Sequence, residues 1–219
     1  MKVLAGPRLE LDPSGPAARL CERLAGADGE VVSLAALGLR NPYRPFSAAE
    51  IGALRTALRG ETGTIGYVCL GAAAGSAAAA GGSAEVGPAG VPPVAPGAAP
   101  DGAAPSRAVA VADHVNLTWR SPLAGPNDEA VGPRFPSMDG IYDPEAVLAL
   151  GPDFEGMIIS RGVVAGVPDD RTPGGHEPDM AVRFGWAAVS AELVAPVIIA
   201  AHMGLRIAAI VLFTEARKA

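Results

Sequence analysis

Twenty mostly apolar residues, 194–213, constrain the fold more than any other stretch of this sequence. Their number matches a helix that spans a lipid bilayer. The stretch also contains Pro196, His202, Gly204 and Arg206, and the charged arginine would be costly in lipid. A buried helix that Gly204 ends, followed by a buried strand over 205–213, explains the same residues. We therefore expect a globular core and no membrane interaction.

Strand and helix patterns alternate along the rest of the chain. One helix begins at Ser47, where Glu50 completes a capping box, and runs to about residue 59. Further strands are predicted at 31–37, 63–70, 108–112 and 156–165, with another helix at 144–150. This alternation predicts an α/β fold, with one single-domain mixed sheet flanked by helices. A chain of 219 residues is long enough for one such domain.

Segments 71–105, 121–143 and 166–178 lack this periodicity. In the first, 28 of 35 residues are Ala, Gly or Pro, too few larger side chains to offset the entropy of ordering. It is predicted to be a flexible insertion, in which 77–80 has the composition of a short helix. The other two segments follow predicted strands, which is where α/β folds usually bind their ligands.

Charge and cysteine content narrow the possible partners. The net charge of −6 argues against a nucleic-acid surface, which needs clustered Lys and Arg. Cys21 and Cys69 lie among apolar residues and are read as reduced core residues rather than a disulfide framework. The beginning of the sequence lacks the apolar run of a signal peptide, so a cytoplasmic location is expected.

The most specific motif runs from Asp113 to Asp143. It reads DHVNLT at 113–118, SPLAGPNDE at 121–129, GPRFPSM at 132–138 and YD at 142–143. This loop closely resembles that of the trimeric purine nucleoside phosphorylases. Weaker similarity covers 71–75, 163–168 and 194–214. The resemblance implies a small-molecule substrate, cleavage of an N-glycosidic bond with phosphate as nucleophile, no cofactor and a homotrimer.

By this resemblance, several residues of this sequence occupy positions that bind substrate or phosphate in the family. Arg40 falls at the family's phosphate-binding arginine, and Ala72 and Ala73 match the backbone that lines phosphate and base. Phe135 matches the phenylalanine that reaches into the neighbouring subunit. Val164 belongs to the similar strand at 163–168 and is assigned to substrate binding. Ala191 replaces a methionine that contacts the sugar.

Other positions depart from the family. Pro42 stands at the phosphate-binding histidine, and Glu192 replaces a phosphate-binding serine. Pro173 and Glu215 replace the glutamate and asparagine that bind the base. The glycine-rich phosphate loop is matched only by the residues 3–6, and the sequence stops before the family's last helix and its sugar-binding histidine. Because Glu192 would repel phosphate, use of phosphate is doubtful.

Three residues are candidates for catalysis. Glu192 and Glu215 are expected to face one pocket and to act as acid and base; alternatively, Glu192 caps a helix and Glu215 is solvated. His176 borders the expected base site, although a solvated loop histidine fits the same position. His114 is interpreted as structural, in a turn formed by 113–116. With three histidines and no cluster at ligand spacing, no metal site is expected.

The polar residues of the 121–143 loop, with Asn116, are expected to brace it and the subunit contact. They include Asn127, Asp128 and Arg134.

Three functions remain open. The first is nucleoside chemistry, by a divergent phosphorylase or by a hydrolase in which Glu192 activates water. The second is acid–base chemistry on another small molecule in a biosynthetic pathway, and the third is binding without turnover.

Overall fold

The computed structural model describes residues 1–9, 15–73, 107–151, 153–154, 157–168, 180–181 and 183–213. The strands in these stretches are β1 Lys2–Ala5, β2 Glu30–Ser33, β3 Thr64–Ala73, β4 Arg107–Asn116, β5 Asp153–Phe154, β6 Met157–Gly166, β7 Ala188–Ser190 and β8 Arg206–Phe213. The helices are α1 Pro16–Ala25, α2 Ala48–Ala57, α3 Pro144–Leu148 and α4 Val194–His202. The predicted α/β fold is confirmed.

The strands form one mixed sheet that closes on itself at β3. Strand β1 lies between β2 and β3, parallel to both. On its other side β3 runs parallel to β8 over residues 64–71. Its last residues, Ala72 and Ala73, pair antiparallel with β7. The circuit is completed through β7–β6, β6–β4 and β4–β8. Strand β3 therefore pairs with β1, β8 and β7 along its length and connects the two ends of the circuit.

The apolar stretch folds as the sequence predicts. Its first part is the buried helix α4, and its second part is β8, which pairs with both β3 and β4. Gly204 has a φ of 76° and lies between the two elements, in a conformation that glycine adopts without strain. Within the described residues, no helix is long and apolar enough to cross a membrane.

The structure also confirms the start of α2. The Ser47 side chain accepts a hydrogen bond from the Glu50 N–H, and the Glu50 carboxylate accepts one from the Ser47 N–H. This pair satisfies backbone donors that the first helical turn leaves free. Cys21 and Cys69 are both buried free thiols, as expected.

Three local predictions were wrong. The strand at 31–37 ends at Ser33, because the chain turns back through Gly38, whose φ is 90°. Residues 71–73 belong to β3 rather than to the insertion, since they pair with β8 and β7. Residues 113–116 continue β4 instead of forming a turn, because His114 pairs with Val164 of β6. The rest of the insertion, including 77–80, lies outside the described residues.

A substitution at Gly71 tests how closely the neighbouring strands pack around β3. A Cβ at Gly71 would lie 2.5 Å from the Val189 carbonyl oxygen and 2.6 Å from Val211 Cγ1. We expect Gly71→Ala to lower the free energy of unfolding by about 1–3 kcal/mol, measured by urea denaturation.

Gly52→Ala in α2 is the matched control, because a Cβ there meets open space. It should raise stability by up to about 1 kcal/mol, since alanine favours a helix. Equal effects of the two variants would contradict the packing described for β3.

Candidate functional site

A cavity of about 240 Å³ lies beyond the carboxyl ends of the parallel strands β4, β6 and β7. It is lined by residues of 42–48 before and at the start of α2, of 118–124 after β4, and of 191–195 at the start of α4, together with Ile51 and Val167. Most of this wall is apolar, and Arg44, Thr118 and Arg120 contribute polar side chains. Carboxyl ends of parallel strands are the usual ligand site of α/β folds.

Glu192 forms a buried ion pair beside this cavity. The residue lines the cavity, but its side chain has no exposed surface. One carboxylate oxygen accepts a hydrogen bond from Nε of Arg8, and the other accepts one from the Leu70 N–H at 3.2 Å. The Glu192 backbone is also fixed, because the Tyr67 hydroxyl donates to its carbonyl at 2.8 Å. The carboxylate is therefore held as an anion by donors from two different segments.

Arg8 brings its charge from the loop that follows β1. Its guanidinium also donates to the Tyr43 hydroxyl at 2.8 Å and to the Leu70 carbonyl at 3.3 Å. Gly6 leaves room for the Glu192 carboxylate, because a Cβ at this position would collide with it. Residues 3–6, the only match to the family's phosphate loop, thus form the end of β1 and lead directly into Arg8.

Arg8 was not among the site residues predicted from the sequence. The available signal was an arginine directly after a short buried strand, where parallel strands place ligand contacts. The partner could not be read from the sequence, because Glu192 lies 184 positions away.

Tyr67 remains a hydrogen-bond donor in this cluster. Burial raises the pKa of Tyr67 well above its ordinary value, and the nearby Glu192 carboxylate raises it further. The protonated hydroxyl therefore donates to the Glu192 carbonyl over the whole physiological pH range.

Two arginines, Arg44 and Arg120, line the cavity. Arg44 donates two hydrogen bonds to the Glu50 carboxylate, at 2.8 and 2.7 Å, and these lower the pKa of Glu50 to about 2. Arg120 donates to the Tyr43 carbonyl at 2.9 Å. The positive charge of Arg44 is thus largely balanced within the protein.

The structure brings together only some of the predicted site residues. Ala191, Glu192 and Pro42 line the same cavity. Arg40 is exposed, and its Nε donates to the Ala35 carbonyl at 3.2 Å. Ala72 and Ala73 pair with β7 at the end of β3. His176, Glu215 and Pro173 lie outside the described residues.

Val164 and Phe135 lie in opposite environments. Val164 is fully buried in the main core, and it is Val167, three residues later, that lines the cavity. Phe135 is 86% exposed, and the Arg134 guanidinium lies 5.9 Å from its ring centroid. This exposure leaves Phe135 accessible to a partner.

His202 anchors the loop at 121–143. It is buried, with Nδ1 3.2 Å from the Arg55 guanidinium and Nε2 3.1 Å from Asn127 Oδ1. Arginine only donates, so Nδ1 accepts and Nε2–H donates to Asn127. Burial, and then the charge of Arg55, lowers the pKa of His202. Asn127 in turn donates to the Gly132 carbonyl at 3.1 Å, in line with the bracing role expected for the loop's polar residues.

His114 also has a packing role. The Tyr142 hydroxyl lies 2.9 Å from its Nδ1, and burial lowers the pKa of His114. Within the described residues, no group of three His, Cys, Asp or Glu side chains could hold a metal ion.

Comparison with known proteins gives the context of this site. Residues 95–219 match the family model of the phosphorylase superfamily. Purine nucleoside phosphorylase 1 of Bacillus subtilis is 36% identical over 104 residues, 44% of this chain and 36% of that protein. The mouse (Mus musculus) purine nucleoside phosphorylase is 32% identical over 112 residues, 48% of this chain and 39% of that protein. The matched part therefore spans little more than a third of these relatives.

Solved structures share the fold over nearly the whole chain. A Schistosoma mansoni purine nucleoside phosphorylase in complex with BCX-34 superposes with a TM-score of 0.60 at 17% identity, covering 98% of this chain and 81% of its own. A purine nucleoside phosphorylase in complex with ribose-1-phosphate superposes with a TM-score of 0.62 at 17% identity, covering 96% and 78%.

The ion pair makes a direct prediction about stability. Arg8→Met leaves the Glu192 carboxylate buried without its cation, and we expect a loss of about 3–5 kcal/mol in the free energy of unfolding. Arg40→Met, which removes an exposed arginine, is the matched control and should change stability by less than about 0.5 kcal/mol.

Changing both partners separates the lost charge pair from lost packing. Arg8→Met combined with Glu192→Gln should recover part of the stability, because no unpaired charge is left in the interior. Urea denaturation at neutral pH measures all three variants. Equal stability of Arg8→Met and Arg40→Met would contradict the pairing.

Proposed function

Because the chain belongs to the phosphorylase superfamily, as a divergent member of its nucleoside phosphorylases, we propose that it cleaves the N-glycosidic bond of a nucleoside or nucleoside-like substrate, with water rather than phosphate as acceptor. The reaction takes place in the cavity beside Glu192. The glycosyl carbon loses its bond to the base nitrogen and gains one to a water oxygen. One proton of the water goes to the base nitrogen, and the other stays on the new hydroxyl of the sugar.

The proposal that water is the acceptor rests on the buried carboxylate of Glu192. Resemblance to the family assigns this position to a phosphate-binding serine. The donors that would hold an anion here, the Arg8 guanidinium and the Leu70 N–H, already bind the carboxylate. Two like charges about 4 Å apart repel by about 4 kcal/mol at an effective dielectric constant near 20. Phosphate therefore meets repulsion and finds these donors occupied.

The cavity's size and lining suit a small, partly apolar ligand. At about 240 Å³ it is smaller than the roughly 300–1,000 Å³ typical for drug-sized ligands. Apolar side chains of Phe46, Val167 and Val194 form much of the wall. A base or a sugar ring has a size and surface that match this space.

Glu192 supports the reaction by its charge in this proposal. Cleavage develops positive charge on the sugar ring, and a preorganised anion near that ring stabilises the transition state. A direct role as the base that activates water requires its side chain to become exposed, because it is fully buried here. Glu215, predicted as the acid–base partner of Glu192, and His176, predicted beside the base, remain candidate catalytic residues.

The assembly and location of the protein are also proposals. The family resemblance implies a homotrimer in which Phe135 enters the neighbouring subunit, and its 86% exposure supports that role. A cytoplasmic location remains a prediction.

The function is tested by incubating the protein with inosine, guanosine and adenosine, with and without phosphate. We expect free base to appear in both conditions at the same rate, measured by chromatography. Glu192→Gln, which keeps the shape but removes the charge, should lower the rate by about ten-fold or more, as loss of a preorganised electrostatic group does.

Arg59→Gln, at an exposed residue outside the cavity, is the control and should keep the wild-type rate. Base that appears only with phosphate would contradict the proposed acceptor. No base in either condition would refute the proposal.

A further inference from the structure

Trp119 has an unusual backbone and an unusual exposure. Among the described residues it is the one non-glycine residue with a positive φ, at 57°. This left-handed region is unfavourable for a bulky side chain. Its indole is also 92% exposed, more than any other large apolar side chain in the described part of the chain. Strained residues of this kind cluster at ligand sites and switch regions.

A network of side-chain hydrogen bonds holds this conformation. Asn116 Oδ1 accepts from the Thr118 N–H at 3.0 Å and from the Thr118 hydroxyl at 2.6 Å. Asn116 Nδ2 donates to the Arg120 carbonyl at 3.1 Å, and the Arg120 N–H donates to Thr118 Oγ1 at 3.2 Å. The turn is thus fixed on both sides of Trp119, and the strain is imposed by polar groups around it.

The fixed turn places Trp119 at the rim of the cavity. The residues on either side of it, Thr118 and Arg120, both line the cavity, and so do Ser121 and Pro122. The indole itself makes no ring or guanidinium contact with the described residues, unlike Phe135, which lies near Arg134. An exposed side chain changes rotamer within nanoseconds, so the indole is free to turn toward a ligand at the rim.

We propose that Trp119 is a ligand-contacting residue whose indole stacks on the planar heterocycle of the ligand bound in the cavity. The inference rests on the proposed function for the identity of that ligand and adds the residue that selects its aromatic part. Stacking of aromatic rings accepts any planar base, because every base has a π face. Trp119 therefore favours heterocycles over sugars alone and does not distinguish strongly among bases.

Tryptophan fluorescence gives a direct test. The sequence has two tryptophans, so in the Trp186→Phe variant only Trp119 emits. We expect hypoxanthine and inosine to change this emission in a saturable way, and ribose to leave it unchanged. No saturable change with either heterocycle would overturn the proposal.

Calorimetry on the full chain then measures the contribution of the indole. Trp119→Ala should weaken the Kd for hypoxanthine by about five-fold or more, the effect of losing one base–aromatic stack. Trp119→Phe, which keeps an aromatic ring, should restore most of the affinity. Unchanged Kd values in both variants would overturn the inference, as would Trp119→Ala altering only the oligomeric mass in light scattering, which would assign Trp119 to a subunit contact.

This test can fail separately from the proposed function. Hypoxanthine binding that depends on Trp119, without any base release from nucleosides, supports the Trp119 contact and refutes the reaction. Base release with the same KM in wild-type and Trp119→Ala proteins supports the reaction and overturns the contact.

Discussion

The buried pair between Arg8 and Glu192 connects the parts of this fold that surround the cavity. Arg8 belongs to the loop after β1, Leu70 to β3, and Glu192 to the segment between β7 and α4. Tyr43, from the segment before α2, also binds Arg8. Removing a carboxylate from water is costly unless charge and hydrogen bonds compensate it. The arrangement of these segments supplies that compensation, so the geometry of the site and the stability of its surroundings depend on the same few contacts.

The same pair is the basis of the proposal that water replaces phosphate in this member of the family. Overall similarity to solved phosphorylases is retained, with a TM-score of 0.60 at 17% identity. The Glu192 carboxylate lies among donors suited to an anion, the Arg8 guanidinium and the Leu70 N–H. The anion is then part of the chain rather than a bound reactant. Such a change leaves the cavity, its apolar wall and the braced 121–143 loop available for a nucleoside-like ligand.

Sequence analysis predicted the elements whose signals are local. The capping box at Ser47 and the break at Gly204 were correct because each depends on neighbouring residues. It did not reveal that β3 closes the sheet, since the β3–β8 and β3–β7 pairings join residues more than a hundred positions apart. Val164 was predicted to bind substrate, but Val167 lines the cavity instead. Only the three-dimensional position of β6 decides which residue near its end reaches the cavity. Arg8 was missed because its partner is remote.

Calorimetric titration with inorganic phosphate tests most directly whether Glu192 occupies the place of an anion. The wild-type protein should show no saturable binding, and Glu192→Ser should bind phosphate, because the Nε–H of Arg8 and the Leu70 N–H then have no carboxylate to bind. Combining Glu192→Ser with Arg8→Met should abolish that binding. Phosphate binding by the wild-type protein as tight as that of Glu192→Ser would contradict the account.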